Sequence, residues 1–138
     1  MLLILVAVLA GAWWLFSMEK KGPLNIAVYA KMAGFTGSNL LAAVAIALAE
    51  SSGIPGKYNP EIEAGAPQGK GSYGLWQIYL YKHPEFEGQN LFDPLTNARA
   101  AYRVYRDANY SFHPWTTYKD GTYGTYLSNA QADLEASA

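Results

Sequence analysis

Glu50 is the acidic residue whose place in the sequence best suits acid catalysis. It follows ten residues, 40–49, that are all Ala, Leu, Ile or Val and carry no charge. Such a run predicts a buried helix with Glu50 at its C-terminal end. Burial and the negative end of the helix dipole both raise the pKa of a carboxyl group. A glutamic acid that stays protonated near neutral pH can cleave a glycosidic bond by donating its proton, although a Glu that simply extends into solvent has the same sequence context.

A second carboxylate would decide the mechanism of such a cleavage. Two-carboxylate glycosidases hold the groups about 5 Å apart for retention, or about 6.5–9.5 Å apart for inversion through a water molecule. Glu61 and Glu63 follow Glu50 in a long loop and could supply the second group. Asp93 is better explained as a helix cap and Asp120 as a turn residue. Nothing in the sequence requires Glu61 or Glu63 to approach Glu50, so both possibilities stay open.

Composition excludes several other kinds of site. The chain has no cysteine, which removes thiolate nucleophiles, disulfides and Cys-based zinc sites. Its two histidines, His83 and His113, each precede a proline and lie far apart, so they resemble loop residues rather than paired metal ligands. The net charge is −1 without a basic stripe, which argues against nucleic acid as a partner. We therefore expect no metal and no cofactor.

The rest of the sequence predicts the elements that position Glu50. Apolar residues recur at helical spacing in residues 25–33 and again in residues 40–49. Asp93-Pro94 is typical of a third helix start, with Asp as the N-cap and Pro at the first helical position. Residues 53–74 are rich in Gly and Pro and too long for an ordinary connection. The expected fold is mainly α, within the α+β class: a helical domain with a small β or irregular insertion.

The N-terminus predicts an appendage to this domain. Residues 1–18 contain no charged side chain and include two Trp near their end, and charged residues 19–21 then end the apolar run. Its length reaches the short end of the membrane-spanning range. We expect an N-terminal apolar helix over residues 1–21, a membrane or assembly anchor rather than a cleaved signal peptide. A domain over residues 22–127 follows, and residues 128–138 form a polar tail or a weak final helix.

Four motifs follow one another along the chain: Ala49-Glu50-Ser51-Ser52-Gly53, Gly74-Leu75-Trp76-Gln77-Ile78, Asp93-Pro94 with Asn97-Ala98, and Trp115-Thr116-Thr117-Tyr118 with Gly121. In their order and spacing they resemble the soluble lytic transglycosylase family of the lysozyme-like superfamily, with bacteriophage-borne members closest. The resemblance covers residues 25–126 and implies a lysozyme-like α+β fold.

The resemblance also implies roles for single residues. Glu50 inherits the catalytic acid and base role, and the Tyr118 hydroxyl would orient it. Gln77 would form a hydrogen bond with the substrate in a glycan groove. For Asn97 we expect a structural role, because it lies in the first turn of a helix. The other expected substrate-binding residues are Ser51, Ser52, Gly74, Leu75, Trp76 and Trp115, with core packing as the competing interpretation for the two Trp residues.

The activity that the resemblance implies is lytic transglycosylation of peptidoglycan glycan strands. Glu50 would protonate the oxygen between N-acetylmuramic acid (MurNAc) and N-acetylglucosamine (GlcNAc), then accept the proton of the muramoyl C6 hydroxyl, which closes a 1,6-anhydro ring. A goose-type muramidase that uses Glu61 or Glu63 to position water is one alternative. A structural virion or envelope protein without turnover is another. We expect a virion-associated protein, attached to a membrane or tail assembly through residues 1–18; the alternative location is the bacterial inner membrane, facing the periplasm.

Overall fold

The structure, a computed structural model, describes residues 24–138. The apolar helix predicted over residues 1–21 lies outside the described residues. Within residues 24–138, none of the helices has both the length and the apolar character needed to cross a membrane.

The described residues form a mainly helical domain, which confirms the predicted fold class. Helices α1 and α2 span Ile26–Ala33 and Gly37–Ser51, and α3 spans Pro94–Asp107. The short α4 covers Thr116–Lys119, and α5 covers Leu127–Ala136. Two 3-10 helices lie at Pro84–Phe86 and Thr122–Tyr126.

Side-chain caps fix two of the helix starts. Asn25 precedes α1 and accepts a hydrogen bond from the Val28 amide at 3.1 Å. Asp93 precedes α3 and accepts one from the Thr96 amide at 2.9 Å, which confirms its predicted role as a helix cap. These bonds satisfy backbone N–H groups that have no partner within the first helical turn.

Helix α2 lies at the centre of the core because it has apolar residues on every side. Residues 43–47 have no solvent exposure, and α1, α4, α5 and the second 3-10 helix all pack against α2. The Phe35 ring extends this core, with its centroid 6.5 Å from Trp76 and 5.9 Å from Phe112. The buried surroundings of α2 hold its C-terminal end, and therefore Glu50, in a fixed position.

The predicted β insertion is a three-stranded antiparallel sheet. Strands β1 (Tyr58–Asn59), β2 (Ser72–Tyr73) and β3 (Ile78–Tyr79) lie in the order β1-β2-β3. In the register, Asn59 pairs with Ser72 and Ser72 pairs with Tyr79. Because successive side chains of a strand point to opposite faces, Ser72 and Tyr73 face different sides of this sheet.

The C-terminal residues form a helix that packs on the domain, so the second of the two alternatives given for residues 128–138, a final helix, describes them. Helix α5 packs on α1 and α2 and buries Ala130. Its Asp133 carboxylate accepts a 2.7 Å hydrogen bond from the Ala27 amide in the first turn of α1. The expectation of a loose tail rested on the polar composition of this segment, but a helix needs only one apolar face to pack.

Candidate active site

A groove of about 390 Å³ lies between the end of α2, the sheet and the start of α4. Both polar and aromatic side chains face it. Its lining residues are Glu50, Glu61, Ser72, Gln77, Ile78, Tyr79, Lys82, His83, Val104, Pro114, Trp115, Thr116 and Thr117.

Glu50 lies in the last turn of α2, and its half-buried side chain lines the groove. Its Oε2 atom is 2.8 Å from Oγ1 of Thr117. Burial raises the pKa of the Glu50 carboxyl above its ordinary value, and the nearby Glu61 carboxylate raises it further. The Thr117 hydrogen bond and the charge of Lys57 act in the opposite direction without reversing the effect. The side chain can therefore hold a proton at a higher pH than an exposed glutamate.

Lys57 contacts the backbone of Glu50 and not its carboxylate. The Lys57 ammonium group donates a 2.7 Å hydrogen bond to the Glu50 carbonyl oxygen, at the negative end of the α2 dipole. The Lys57 carbonyl oxygen in turn accepts hydrogen bonds from the Gly74 amide at 2.8 Å and from Nε2 of Gln77 at 3.2 Å. Lys57 thus connects the end of α2 to the segment between β2 and β3.

Glu61 brings a second carboxylate into the groove. Ser72, which is only 3% exposed, donates a 2.7 Å hydrogen bond from its hydroxyl to Oε2 of Glu61. The Glu61 amide donates to Oδ1 of Asn59 at 3.0 Å, and its backbone has a φ of 54°. These contacts turn the Glu61 side chain back towards the sheet. Glu63, the other acidic residue that the sequence offered, is exposed and does not line the groove.

The hydroxyl group that contacts Glu50 belongs to Thr117, which the sequence did not single out. Tyr118, to which this role was assigned, instead packs its ring against aromatic neighbours, with centroids 5.6 Å from Phe112 and 4.8 Å from Tyr123. The Tyr118 side chain does not line the groove. The role of contacting Glu50 was therefore predicted one position too late in the sequence, because helix α4 begins at Thr116 and turns Thr117 towards the groove.

The segment 74–76 is buried behind the groove wall and supports it through packing. Leu75 has no solvent exposure and Trp76 only 1%, so the substrate contacts expected for both are corrected to core packing. The Trp76 indole donates to the Ala43 carbonyl oxygen in α2 at 2.9 Å. Gly74 is buried with a φ of 78°, and its backbone lies against the Asn97 side chain.

Asn97 has the structural role expected from the sequence. It is fully buried and accepts a 2.8 Å hydrogen bond from the Trp76 amide through Oδ1. Its Nδ2 atom donates to the carbonyl oxygens of Tyr73 at 2.8 Å and Leu91 at 2.9 Å. One side chain of α3 therefore fixes three backbone positions around the sheet.

Two other residues predicted to bind substrate do face the groove. Gln77 lines it, although its Nε2 atom is used by the carbonyl oxygens of Lys57 and Gly74, which leaves Oε1 as the group available to a ligand. Trp115 lines it as well, while its indole N–H donates to the Trp76 carbonyl oxygen at 2.8 Å. Both side chains are thereby held rigidly at the groove wall.

The two serines after Glu50 do not line the groove. Ser51 is fully buried and its hydroxyl donates to the Ala47 carbonyl oxygen at 2.8 Å, which contradicts the substrate contact expected for it. Ser52 is exposed and ends α2 in a left-handed conformation, with a φ of 55°. The pair therefore terminates the helix immediately after its catalytic candidate.

In residues 24–138, no group of three or more His, Asp or Glu side chains is arranged to hold a metal ion.

Comparison with known proteins gives the family. Searches of curated proteins and of solved structures returned no match. A family model described as a lysozyme-like domain matches residues 27–117, a stretch that contains Glu50, the sheet and Thr117. Because this match covers more than half of the chain, the protein belongs to the family of lysozyme-like domains, which supports a peptidoglycan-cleaving activity.

Proposed function

We propose that this protein cleaves the β-1,4 bond between MurNAc and GlcNAc in peptidoglycan, with Glu50 as the general acid. The observation that carries the proposal is the half-buried Glu50 carboxyl, which lines a groove, contacts Thr117 and has a raised pKa. A protonated carboxylic acid beside the bridging oxygen is the group that this reaction requires.

The reaction we propose is lytic transglycosylation. Glu50 donates its proton to the leaving GlcNAc oxygen, while the acetamido group of MurNAc stabilises the cation-like sugar. The resulting carboxylate then accepts the proton of the C6 hydroxyl of the same MurNAc, and that oxygen attacks C1 to form the 1,6-anhydro product. The contact between Thr117 and Oε2 leaves Oε1 to carry the acidic proton. The hydrogen bond between Ser72 and Glu61 favours this one-carboxylate scheme, since it turns the second carboxylate towards the sheet.

A muramidase that hydrolyses the same bond is the second candidate, and the presence of Glu61 in the groove favours it. The Glu61 carboxylate lies close enough to Glu50 to raise the pKa of Glu50, and a second carboxylate can act as a base on water. Under this scheme the product would carry a reducing end instead of an anhydro ring.

Mass spectrometry of the muropeptides released from purified peptidoglycan tests both schemes. We expect anhydro-MurNAc ends from the wild-type chain, and Glu50→Gln should reduce release by at least about 100-fold. Glu63→Gln is the matched control, because it removes an exposed carboxylate outside the groove. Reducing ends would favour the muramidase, while undiminished release by Glu50→Gln would overturn the assignment of the acid.

We further propose that the protein acts in a bacteriophage particle during wall penetration, attached through residues 1–18. The support is the charge-free apolar run at the N-terminus together with the resemblance of the motifs to phage-borne enzymes. Immunoblotting of purified particles tests this location. Detection in the particle supports it, whereas detection only in the host inner membrane favours the alternative location facing the periplasm.

A further inference from the structure

One part of the groove carries a positive charge. Lys82 and His83 follow strand β3 in a turn, where the amides of both residues donate to the Tyr79 carbonyl oxygen at 3.1 and 3.0 Å. Both side chains line the groove that contains Glu50. The turn therefore fixes the backbone from which a lysine and a histidine reach the same space as the catalytic candidate.

Lys82 is a cation of the groove, and it has no acidic partner in the described part of the chain. It is the only Lys or Arg among the groove-lining residues, and residues 24–138 contain no carboxylate within ion-pair distance of it. Lys57 is engaged with the Glu50 carbonyl oxygen, and Lys70 forms an ion pair with Glu87. The His83 ring has its own neighbour, with Nδ1 3.7 Å from the Glu85 carboxylate.

The proposed substrate supplies the opposite charge. MurNAc differs from GlcNAc by a lactyl ether on O3, which ends in a carboxylate when it is free and in a stem peptide with further carboxylates when it is substituted. A groove that contained only Glu50 and Glu61 as charged groups would repel such a substituent. A lysine without an acidic partner provides complementary charge at the place where it is needed.

We propose that Lys82 binds a carboxylate on the lactyl side of MurNAc and so selects muramic glycan over uncharged chitin-type glycan. This inference rests on the proposed function, since it names the substrate group that the same groove recognises. The charges that act most on Glu50 are those of Lys57 and Glu61, and Lys82 is not among them. We therefore assign Lys82 to substrate binding and not to the control of the acid.

The test is binding of fluorescent, soluble glycans to the full chain that carries Glu50→Gln, so that no turnover occurs. Three glycans are compared: strands with stem peptides, strands with the peptides removed and the lactyl carboxylate free, and chitin oligosaccharides. Adding Lys82→Met should weaken binding of charged glycan about fivefold, the effect of one exposed charge pair. Lys82→Glu should weaken it more, and neither change should affect chitin binding. Lys119→Met is the control, because Lys119 is exposed outside the groove lining.

The pattern of losses identifies the recognised group. A loss with peptide-free strands points to the lactyl carboxylate, and a loss confined to peptide-bearing strands points to a stem-peptide carboxylate. Equal losses on chitin, or no loss on either charged glycan, would overturn the inference. Failure of the wild-type chain to cleave any glycan would count against the proposed function alone, because the binding comparison does not depend on cleavage.

Discussion

The Thr117 hydroxyl and the Glu50 carboxylate lie 2.8 Å apart although 67 positions separate them in the sequence. The contact joins the C-terminal end of α2 to the first turn of α4. The hydroxyl and backbone amide of Thr117 both lower the pKa of Glu50, while burial raises it more strongly. Thr117 therefore limits how far burial can shift this carboxyl and fixes the oxygen that is left to act.

Thr117→Val should move the pH profile of cleavage to higher pH. The change removes a hydrogen bond that lowers the pKa of Glu50, so the carboxyl keeps its proton to a higher pH than in the wild type. The alkaline limb of kcat/KM reports this ionisation when Glu50 must be protonated. We expect the limb to shift upwards in Thr117→Val and to return towards its wild-type position in Thr117→Ser. An unchanged limb in Thr117→Val would show that Thr117 does not act on the acid.

Glu50→Gln should make the stability of the fold less dependent on pH. The folded-state pKa of Glu50 is raised above its ordinary value of 4.5, so its contribution to stability is complete below that pH and is lost as pH rises through the folded-state pKa. Glutamine does not titrate and carries no such loss. The Tm of Glu50→Gln minus that of wild type should therefore increase from pH 4 to pH 8, measured by calorimetry. An equal increase for Glu63→Gln would assign the effect to general charge and not to burial.

Much of the scaffold follows from local sequence patterns. The apolar run at 40–49 predicted the central helix, and Asp93-Pro94 predicted the start of α3, since burial and capping act over a few residues. The length and composition of residues 53–74 predicted an insertion, but not the register of its strands. The sequence left residues 128–138 open between a tail and a helix, because the packing of α5 depends on contacts with α1 and α2 that no local pattern specifies.

The site was less predictable than the fold. It is formed by three segments that lie far apart in the sequence, and it depends on which of their side chains face the groove. The position of Glu50 after an apolar helix made it a candidate, and the resemblance of the motifs gave it the catalytic role; the structure places its side chain in the groove. Thr117 was missed because the phase of the four-residue helix α4 decides whether residue 117 or 118 faces the groove. The role of Ser72 in holding Glu61 depends on the strand register, in which a shift of one residue would exchange Ser72 for Tyr73.

Gly74→Ala should destabilise the domain strongly. An added Cβ would lie 2.3 Å from Nδ2 of Asn97 and 2.4 Å from the Leu91 carbonyl oxygen, so the buried hydrogen bonds of Asn97 would have to break or move. Gly88→Ala is the matched control, since Gly88 has a similar φ of 87° and open space around it. By denaturant unfolding we expect a loss of about 1 kcal/mol for Gly88→Ala, and at least about 3 kcal/mol for Gly74→Ala. Equal losses would mean that backbone conformation alone requires glycine at position 74.

Glu61→Gln separates the two proposed reactions. The glutamine side chain can still accept the Ser72 hydrogen bond but cannot act as a base, so the sheet should keep its structure. If Glu61 activates water, the change should lower kcat by at least about 100-fold with little effect on folding. In the one-carboxylate scheme, which we favour, loss of the Glu61 charge should instead lower the pKa of Glu50, because that charge raises it. The anhydro product should then persist, with the alkaline limb of the pH profile moved to lower pH, opposite in direction to the shift expected for Thr117→Val.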